Sequence, residues 1–283
     1  MRRRFTLIYL YMSSMNPVVF EVGPIEIRTF ALWMGMGILL ALAIITWRAR
    51  QFDPAAMTRW MDVGIAAVIG GIIGARLMHV GLEWDYFADH TDEILRLSLG
   101  GLAWHGALMT GIPAALIMAR LRHVPLRPWT DALALAWPVG LIAAWMACRN
   151  AGCGYGYEVR TMADWPGWMV EELPDVYGFV APRLDVQLAG IAFGGLLLVL
   201  AVLLTWRRWL PGLRFWLLLG LTGFGFYFIG FFRADPAQMF YDRRADQLFD
   251  LMALLFATLI ISLLWLQHRR VGVFAEEEPH HEN

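Results

Sequence analysis

His105 lies near one end of an apolar run, GGLAWHGALMTGIPAALIMA, that reaches from Gly100 to Ala119. The run is about the 20 residues that a helix needs to cross a bilayer. A charged side chain at mid-bilayer costs on the order of 2.5–3.5 kcal/mol on insertion scales. An imidazole avoids much of that cost by staying neutral, and it titrates near neutral pH, so its use is proton transfer. Arg76, Arg149 and Arg233 hold comparable positions in other apolar runs. A guanidinium keeps its charge and offers a planar fork of donors that matches a phosphate. Each residue also has a plain structural reading. Arg149 and Arg233 suit interfacial side chains that snorkel to the headgroups. Arg76 suits an ion pair with an acidic loop residue, and His105 a core histidine bonded to a backbone carbonyl. Four such groups at one level favour a functional anion site, because chance would scatter them over both faces.

The elements that must hold these residues follow from composition. The chain is 59% hydrophobic with mean hydropathy +0.53, which excludes an ordinary soluble domain. Its net charge of −1 provides no field for nucleic acid, and no nucleic-acid partner is expected. All 23 basic residues are Arg, which reads as codon bias. Apolar runs at roughly 29–49, 61–81, 100–119, 131–148, 187–206, 213–232 and 248–267 each come near the length of a membrane span. Barrel strands would alternate over about ten residues instead. The expected fold is therefore all-α, a polytopic membrane protein with seven transmembrane helices. Residues 1–28 form an N-terminal extracytoplasmic segment, 29–267 the helical domain, and 268–283 a disordered tail. The outer loop 149–186, rich in Trp, Tyr and Pro, is expected to form an ordered cap at the interface. Translation is expected to start at Met15, with residues 1–14 an upstream extension.

Orientation follows from the arginines. Those at 48, 50 and 59, at 120, 122 and 127, at 207, 208 and 214, and at 269 and 270 fall in alternate connections, while the 82–99 loop is acidic. This predicts a cytoplasmic C-terminus and, with seven spans, an outer N-terminus. Arg28, Arg96, Arg160, Arg183, Arg243 and Arg244 on the outer side make the bias partial. Alternation then brings Arg76, His105, Arg149 and Arg233 near the outer interface, at the depth of phospholipid phosphates. Gly70 and Gly74 have the spacing that lets membrane helices touch. Pro113 and Pro138 predict a bend or local opening in their helices. Cys148 and Cys153 cannot make a closed zinc site. Gly152 and Gly154 suggest that the helix has ended between them, which leaves both a disulfide and two small buried residues open. His280–His281 is a weak metal signal, and neither metal nor cofactor is expected.

The order of motifs resembles the prolipoprotein diacylglyceryl transferase family from about Gly23 to Leu251. The resemblance runs through GPIEIRTFALWMGMG, MDVGIAAVIGGIIGARLMHV, GGLAWHGAL and GFGFYFIGFFRADP. It implies seven spans with the N-terminus out in the bacterial inner membrane. It also implies transfer of a diacylglyceryl group from phosphatidylglycerol to the lipobox cysteine of a prolipoprotein, with formation of a thioether and loss of glycerol phosphate. His105 and Arg233 match positions that the family needs. The family signature G-R-x-G-N-F-x-N-G-E-x-x-G falls on AWMACRNAGCGYG, where Trp145 takes the place of the Arg, Cys148 of the first Asn and Cys153 of the Glu, while Gly156 is kept. The family's first-span tyrosine falls on Phe30, and its H-P-T-Q-L-Y-E stretch is reduced to DVQLAG, with Gln187 and Leu188 kept. Arg149, four residues after Trp145, is one helical turn from the missing arginine. The expected roles are catalytic for His105 and Arg233, and substrate-binding for Arg76, Arg149 and Gly156. Two other readings stand beside this one: a divergent paralogue with another lipid donor or acceptor, and a non-catalytic lipid-binding or transport protein.

Overall fold

The structure, a computed structural model, describes residues 18–22, 25–97, 100–175 and 177–276. The N-terminal residues 1–17, the suggested start at Met15 and the His280–His281 pair lie outside them. The long helices are α1 Thr29–Phe52, α2 Met57–Leu82, α3 Trp104–Leu121, α4 Leu126–Ala151, α5 Val186–Trp206, α6 Arg214–Ile229 and α7 Ala245–Glu276. Backbone groups in hydrocarbon have no water to bond, so long apolar runs close their hydrogen bonds within a helix. Several helices outrun the apolar stretches that announce them. α4 starts at Leu126 and ends at Ala151, its first turn carrying the exposed Arg127 and its last turn Arg149 and Asn150, which bond to protein groups. α7 continues to Glu276, into the segment expected to be disordered. Both α3 and α4 run on through their prolines, Pro113 and Pro138.

Among the described residues, six helices are long and apolar enough to cross a membrane: Thr29–Phe52, Pro54–Leu82, Leu126–Ala151, Val186–Trp206, Arg214–Phe232 and Ala245–Gln267. α3 is not among them. It has 18 residues, opens on Trp104 and His105, and carries Arg120 in its last turn. It lies antiparallel along α2. A Cβ on Gly106 would stand 2.3 Å from the Gly74 carbonyl, and one on Gly111 2.9 Å from the Ala67 carbonyl. Thr110 Oγ1 donates to the Gly70 carbonyl at 2.6 Å, and beyond the helix end Arg122 pairs with Asp62 at 2.7 Å.

The chain is mostly helical but not all-α. Among the described residues, three antiparallel hairpins join β1 Val18–Val22 to β2 Ile25–Arg28, β3 Val170–Pro174 to β4 Val180–Leu184, and β5 Met239–Phe240 to β6 Arg243–Arg244. Connections at the bundle ends also need partners for their backbone groups, and short ladders supply them. Two apolar clusters form the core. Ile45, Trp60, Val63 and Trp129 pack in one, and Leu135, Leu197, Phe215, Leu218 and Leu219 in the other. Outward-facing Leu39, Ile69, Leu196 and Leu255 are exposed, as a lipid-facing surface requires.

Two ends of the bundle differ in chemistry. At one end, both Asp131 carboxylate oxygens accept from the Gly212 N–H at 2.9 Å and Arg214 stands 3.4 Å away, which ties the 207–214 turn to α4. The other end holds all the residues described next.

Candidate functional site

His105 sits in the first turn of α3, and its Nε2 lies 2.7 Å from Oδ1 of Asp250 in the second turn of α7. Both side chains are buried, with His105 6% and Asp250 3% exposed. Trp104 packs at 4.0 Å and Phe249 at 5.4 Å from the imidazole, ring centre to ring centre. The pair therefore sits in aromatic, water-poor surroundings. α7 is held at this level by close backbone approach: a Cβ on Gly223 of α6 would stand 2.4 Å from the Asp250 carbonyl.

One turn earlier on α7, Asp246 accepts from Arg233 Nη1 at 2.7 Å. Arg233 also meets both carboxylate oxygens of Asp235, at 2.9 Å from Nε and 2.6 Å from Nη2. Arg244 bridges the same two acids, at 3.3 Å from Asp235 and 3.1 Å from Asp246. Burial works against the charge on Arg233, but Asp235, with Asp246 and Asp250, more than offsets it and raises its pKa above the ordinary arginine value. The guanidinium stays charged.

The backbone binds Arg233 to the signature segment. Gly156 and Arg233 face each other in an antiparallel bridge; Tyr157 N donates to the Phe232 carbonyl at 3.1 Å and Ala234 N to the Tyr155 carbonyl at 2.8 Å. On its other side this segment pairs with β4: Val159 N donates to the Pro182 carbonyl at 2.9 Å and Leu184 N to the Tyr157 carbonyl at 3.0 Å. A Cβ on Gly156 would stand 2.4 Å from the Leu184 carbonyl, so this position accepts only glycine.

Arg149, in the last turn of α4, donates to Asp185 at 2.5 Å and also pairs with Glu171 of β3. Asp185 caps α5 through the Leu188 N–H at 2.8 Å. Arg149 thus fastens the β3–β4 hairpin and α5 to the end of α4. Cys148 and Cys153 form a disulfide. The helix closes at Gly152, whose φ of 66° turns the chain back, and this brings together two positions that a continuous helix would hold apart. Of the two readings left open by the sequence, the disulfide is the one found. Trp145, in the place of the signature arginine, is buried and packs edge-on against Phe226 with ring centres 5.6 Å apart. A Cβ on Gly190 would run into its indole at 2.2 Å.

Arg76 is bound differently. Its Nε donates to the Ile94 carbonyl at 2.8 Å, Nη1 to Gly100 at 2.6 Å and Gly101 at 3.2 Å, and Nη2 to Glu93 at 2.7 Å and Arg96 at 3.4 Å. All three nitrogens serve backbone carbonyls of the turn that leads into α3. Gly101, with φ of 75°, lets that turn pass within reach; a Cβ there would stand 2.3 Å from the His79 ring.

The four side chains singled out by sequence thus lie at one end of the bundle, but none stands with an idle charge. Each is met by protein: Arg76 by carbonyls, Arg149 and Arg233 by carboxylates, His105 by Asp250. A buried charge is costly unless paired. The sequence reading missed Asp246 and Asp250. Asp250 inside the 248–267 run, with Asp246 just before it, was the signal available. Gln187, kept from the family stretch but given no role by the sequence, is 1% exposed; its Nε2 donates to the Cys153 carbonyl at 3.1 Å, and its Oε1 is buried with no partner among the described residues.

A bundle of membrane-length helices with a buried His–Asp pair and a clustered set of Arg–Asp contacts at one end defines a multi-pass membrane protein. The family model described as prolipoprotein diacylglyceryl transferase matches residues 17–265, and the chain belongs to that family. A phosphatidylglycerol–prolipoprotein diacylglyceryl transferase of Symbiobacterium thermophilum is 32% identical over 272 residues, covering 91% of this chain and 95% of the relative. One of Synechococcus elongatus is 36% identical over 141 residues, 48% of each chain. One of Thermoanaerobacter is 26% identical over 210 residues, 73% of this chain and 74% of the relative.

Proposed function

We propose that this chain transfers the diacylglyceryl group of phosphatidylglycerol to the lipobox cysteine thiol of a prolipoprotein, at the outer face of the bacterial cytoplasmic membrane. The observation that carries this reading is the joint position of His105 and Arg233, two residues far apart in sequence that meet carboxylates one turn apart on α7. Relatives bearing the transferase name across nearly the full length of the chain support it.

In this mechanism the thiol gives its proton to His105, since the thiolate is the nucleophile. Sulfur forms a bond to the glyceryl carbon. The carbon–oxygen bond to phosphate breaks, its electron pair leaves on the phosphate oxygen, and glycerol phosphate departs with one proton. Arg233 meets the developing phosphate charge by exchanging part of its contact with Asp235 for the substrate, in surroundings where a fixed charge acts strongly. Arg149 supplies a second positive group near the signature segment, beside Gly156. Arg76, expected from sequence to touch substrate, holds carbonyls of residues 93–96 and 100–101 ahead of α3 and His105.

The proposed topology has seven crossings with the N-terminus outside and the C-terminus inside. α3 supplies the seventh, because a helix packed antiparallel along a spanning helix traverses the same depth. The segment 149–186 then caps the outer face.

Expression of this chain in cells depleted of their own diacylglyceryl transferase tests the proposal. Rescue of growth, together with a prolipoprotein that gains the mass of a diacylglyceryl group, is expected. His105→Ala and Arg233→Ala should each abolish both, and retention of activity in both variants sinks the mechanism. One observation favours a second reading, a paralogue with a different donor or acceptor: the signature positions here hold Trp145 and the Cys148–Cys153 disulfide. That reading predicts no rescue at normal membrane levels, and a new lipid product in the overexpressing strain.

A further inference from the structure

Asp250 has no part in the mechanism above beyond touching His105. It lies 145 residues from His105 in sequence and 2.7 Å away in space, on the neighbouring face of α7. That contact uses Nε2 and leaves Nδ1 as the second ring nitrogen. We infer that Asp250 is a positioning residue for His105: its carboxylate accepts the Nε2–H, leaves Nδ1 as the atom that takes the thiol proton, and holds the imidazolium that forms. The inference rests on the reading of His105 as the base.

The reason is electrostatic. A lone imidazole in apolar surroundings resists protonation, because burial penalises the charged form. Asp250 places a compensating group beside it, 2.7 Å away. Before proton transfer, the pair is a neutral ring and a buried carboxylate. After it, the pair is an imidazolium and a carboxylate in contact, with no net charge. Uptake of the thiol proton therefore gives the buried carboxylate a charged partner in contact. The neighbouring charges balance. Arg233 and Arg244 are matched by Asp235 and Asp246, so Asp250 is the remaining acid of the cluster. From α2, His79 and Arg76 approach the turn before α3 at Gly101, with Arg76 committed to carbonyls there. Asp250 also fixes the ring plane. With Nε2 held toward α7, the thiol proton has one nitrogen to reach.

Step by step, the thiol S–H breaks as Nδ1–H forms. The S–C bond then forms, the C–O bond breaks with its pair on phosphate oxygen, and the Nδ1 proton passes to that oxygen. The ring returns to its starting tautomer, and atoms and charge balance without a further reactant.

Two measurements test the inference. The first needs no turnover: nitrogen NMR of the full-length chain carrying ¹⁵N-histidine, with the His105 signals assigned by their loss in His105→Gln. Nε2 protonated and Nδ1 bare at neutral pH is the expected result. Nδ1 protonated with Nε2 bare, or both protonated, overturns the inference. The second measures transfer from phosphatidylglycerol vesicles to a cysteine-bearing lipobox peptide across pH. Asp250→Asn should lower kcat about a hundredfold, within the range for positioned acid–base groups, with KM for the lipid changed less than about threefold. Wild-type kcat in this variant overturns the role of Asp250 and leaves the transferase reading standing. A wild-type chain inactive on this donor and acceptor removes the transferase reading instead, while the tautomer result still decides the pair.

Discussion

At the scale of single residues, the charged groups were legible by type and their partners were not. His105 and Arg233 stand out as polar groups in apolar runs, and the motifs around them carry the resemblance. Asp250 does not, because nothing in a local pattern says that two helices 145 residues apart in sequence will face each other. Arg76 shows a different gap. Its partners are main-chain carbonyls, and a carbonyl is present at every residue, so no spacing announces the contact. Its role predicts its variants. Arg76→Ala leaves five carbonyl contacts without their donor, and a buried group that loses a charged partner costs on the order of 3 kcal/mol. The expected outcome is a fall of several degrees in the unfolding temperature in detergent, with activity lost in proportion to folded protein. Arg76→Lys should rescue little, because one ammonium cannot reproduce the planar fork. A variant of normal stability with a raised KM for lipid would show instead that Arg76 binds substrate.

At the scale of elements, the apolar runs predicted the helices, because a bilayer permits few other structures. The small residues foretold where helices touch. What the runs did not reveal were the helix ends, where polar side chains continue the same backbone geometry, and the three hairpins, whose strands are too short to show alternation. The α2–α3 contact gives a prediction with its own control. A Cβ at Gly106 meets backbone, the Gly74 carbonyl at 2.3 Å, whereas one at Gly140 meets nothing within 4 Å. Backbone cannot rotate aside, so Gly106→Ala must part the two helices and shift His105, its neighbour in the chain. The expected cost is about 1–3 kcal/mol, together with loss of transfer. Gly140→Ala should be neutral or gain about 0.5–1 kcal/mol, since alanine loses less freedom than glycine in a helix. Thermal unfolding of both variants beside wild type, with transfer assayed on each, checks this. The disulfide adds a smaller effect. It closes a loop of only five residues' separation, for which chain entropy suggests a contribution of about 2 kcal/mol. Reductant should lower the unfolding temperature of wild type and leave the Cys148→Ser/Cys153→Ser double variant unmoved.

At the scale of the whole molecule, everything proposed for the site depends on how many times the chain crosses the bilayer between the acidic 82–99 loop and the basic 207–214 turn. α4 and α5 are both long and apolar enough to span, and α3 decides the parity. With α3 across the membrane there are three crossings, and the two connections lie on opposite sides. With α3 merely lying among the others there are two, and both connections share a side. The arginine distribution and the antiparallel fit of α3 along α2 argue for three. The chain suits a direct test, because its only two cysteines are joined to each other and leave a background without free thiols. Asp89→Cys and Trp209→Cys each add one thiol at an exposed position. In right-side-out spheroplasts, a membrane-impermeant maleimide should label Asp89→Cys at once and Trp209→Cys only after lysis. Labelling of both from outside would remove α3 as a span. It would also turn the 207–214 end of the bundle outward and leave the seven-crossing topology without support. Labelling of Trp209→Cys alone would keep three crossings but invert the protein. His105, Arg233 and Asp250 would then face the cytoplasm, where no secreted precursor presents its cysteine after export. The site would need another acceptor, and the divergent-paralogue reading would take precedence.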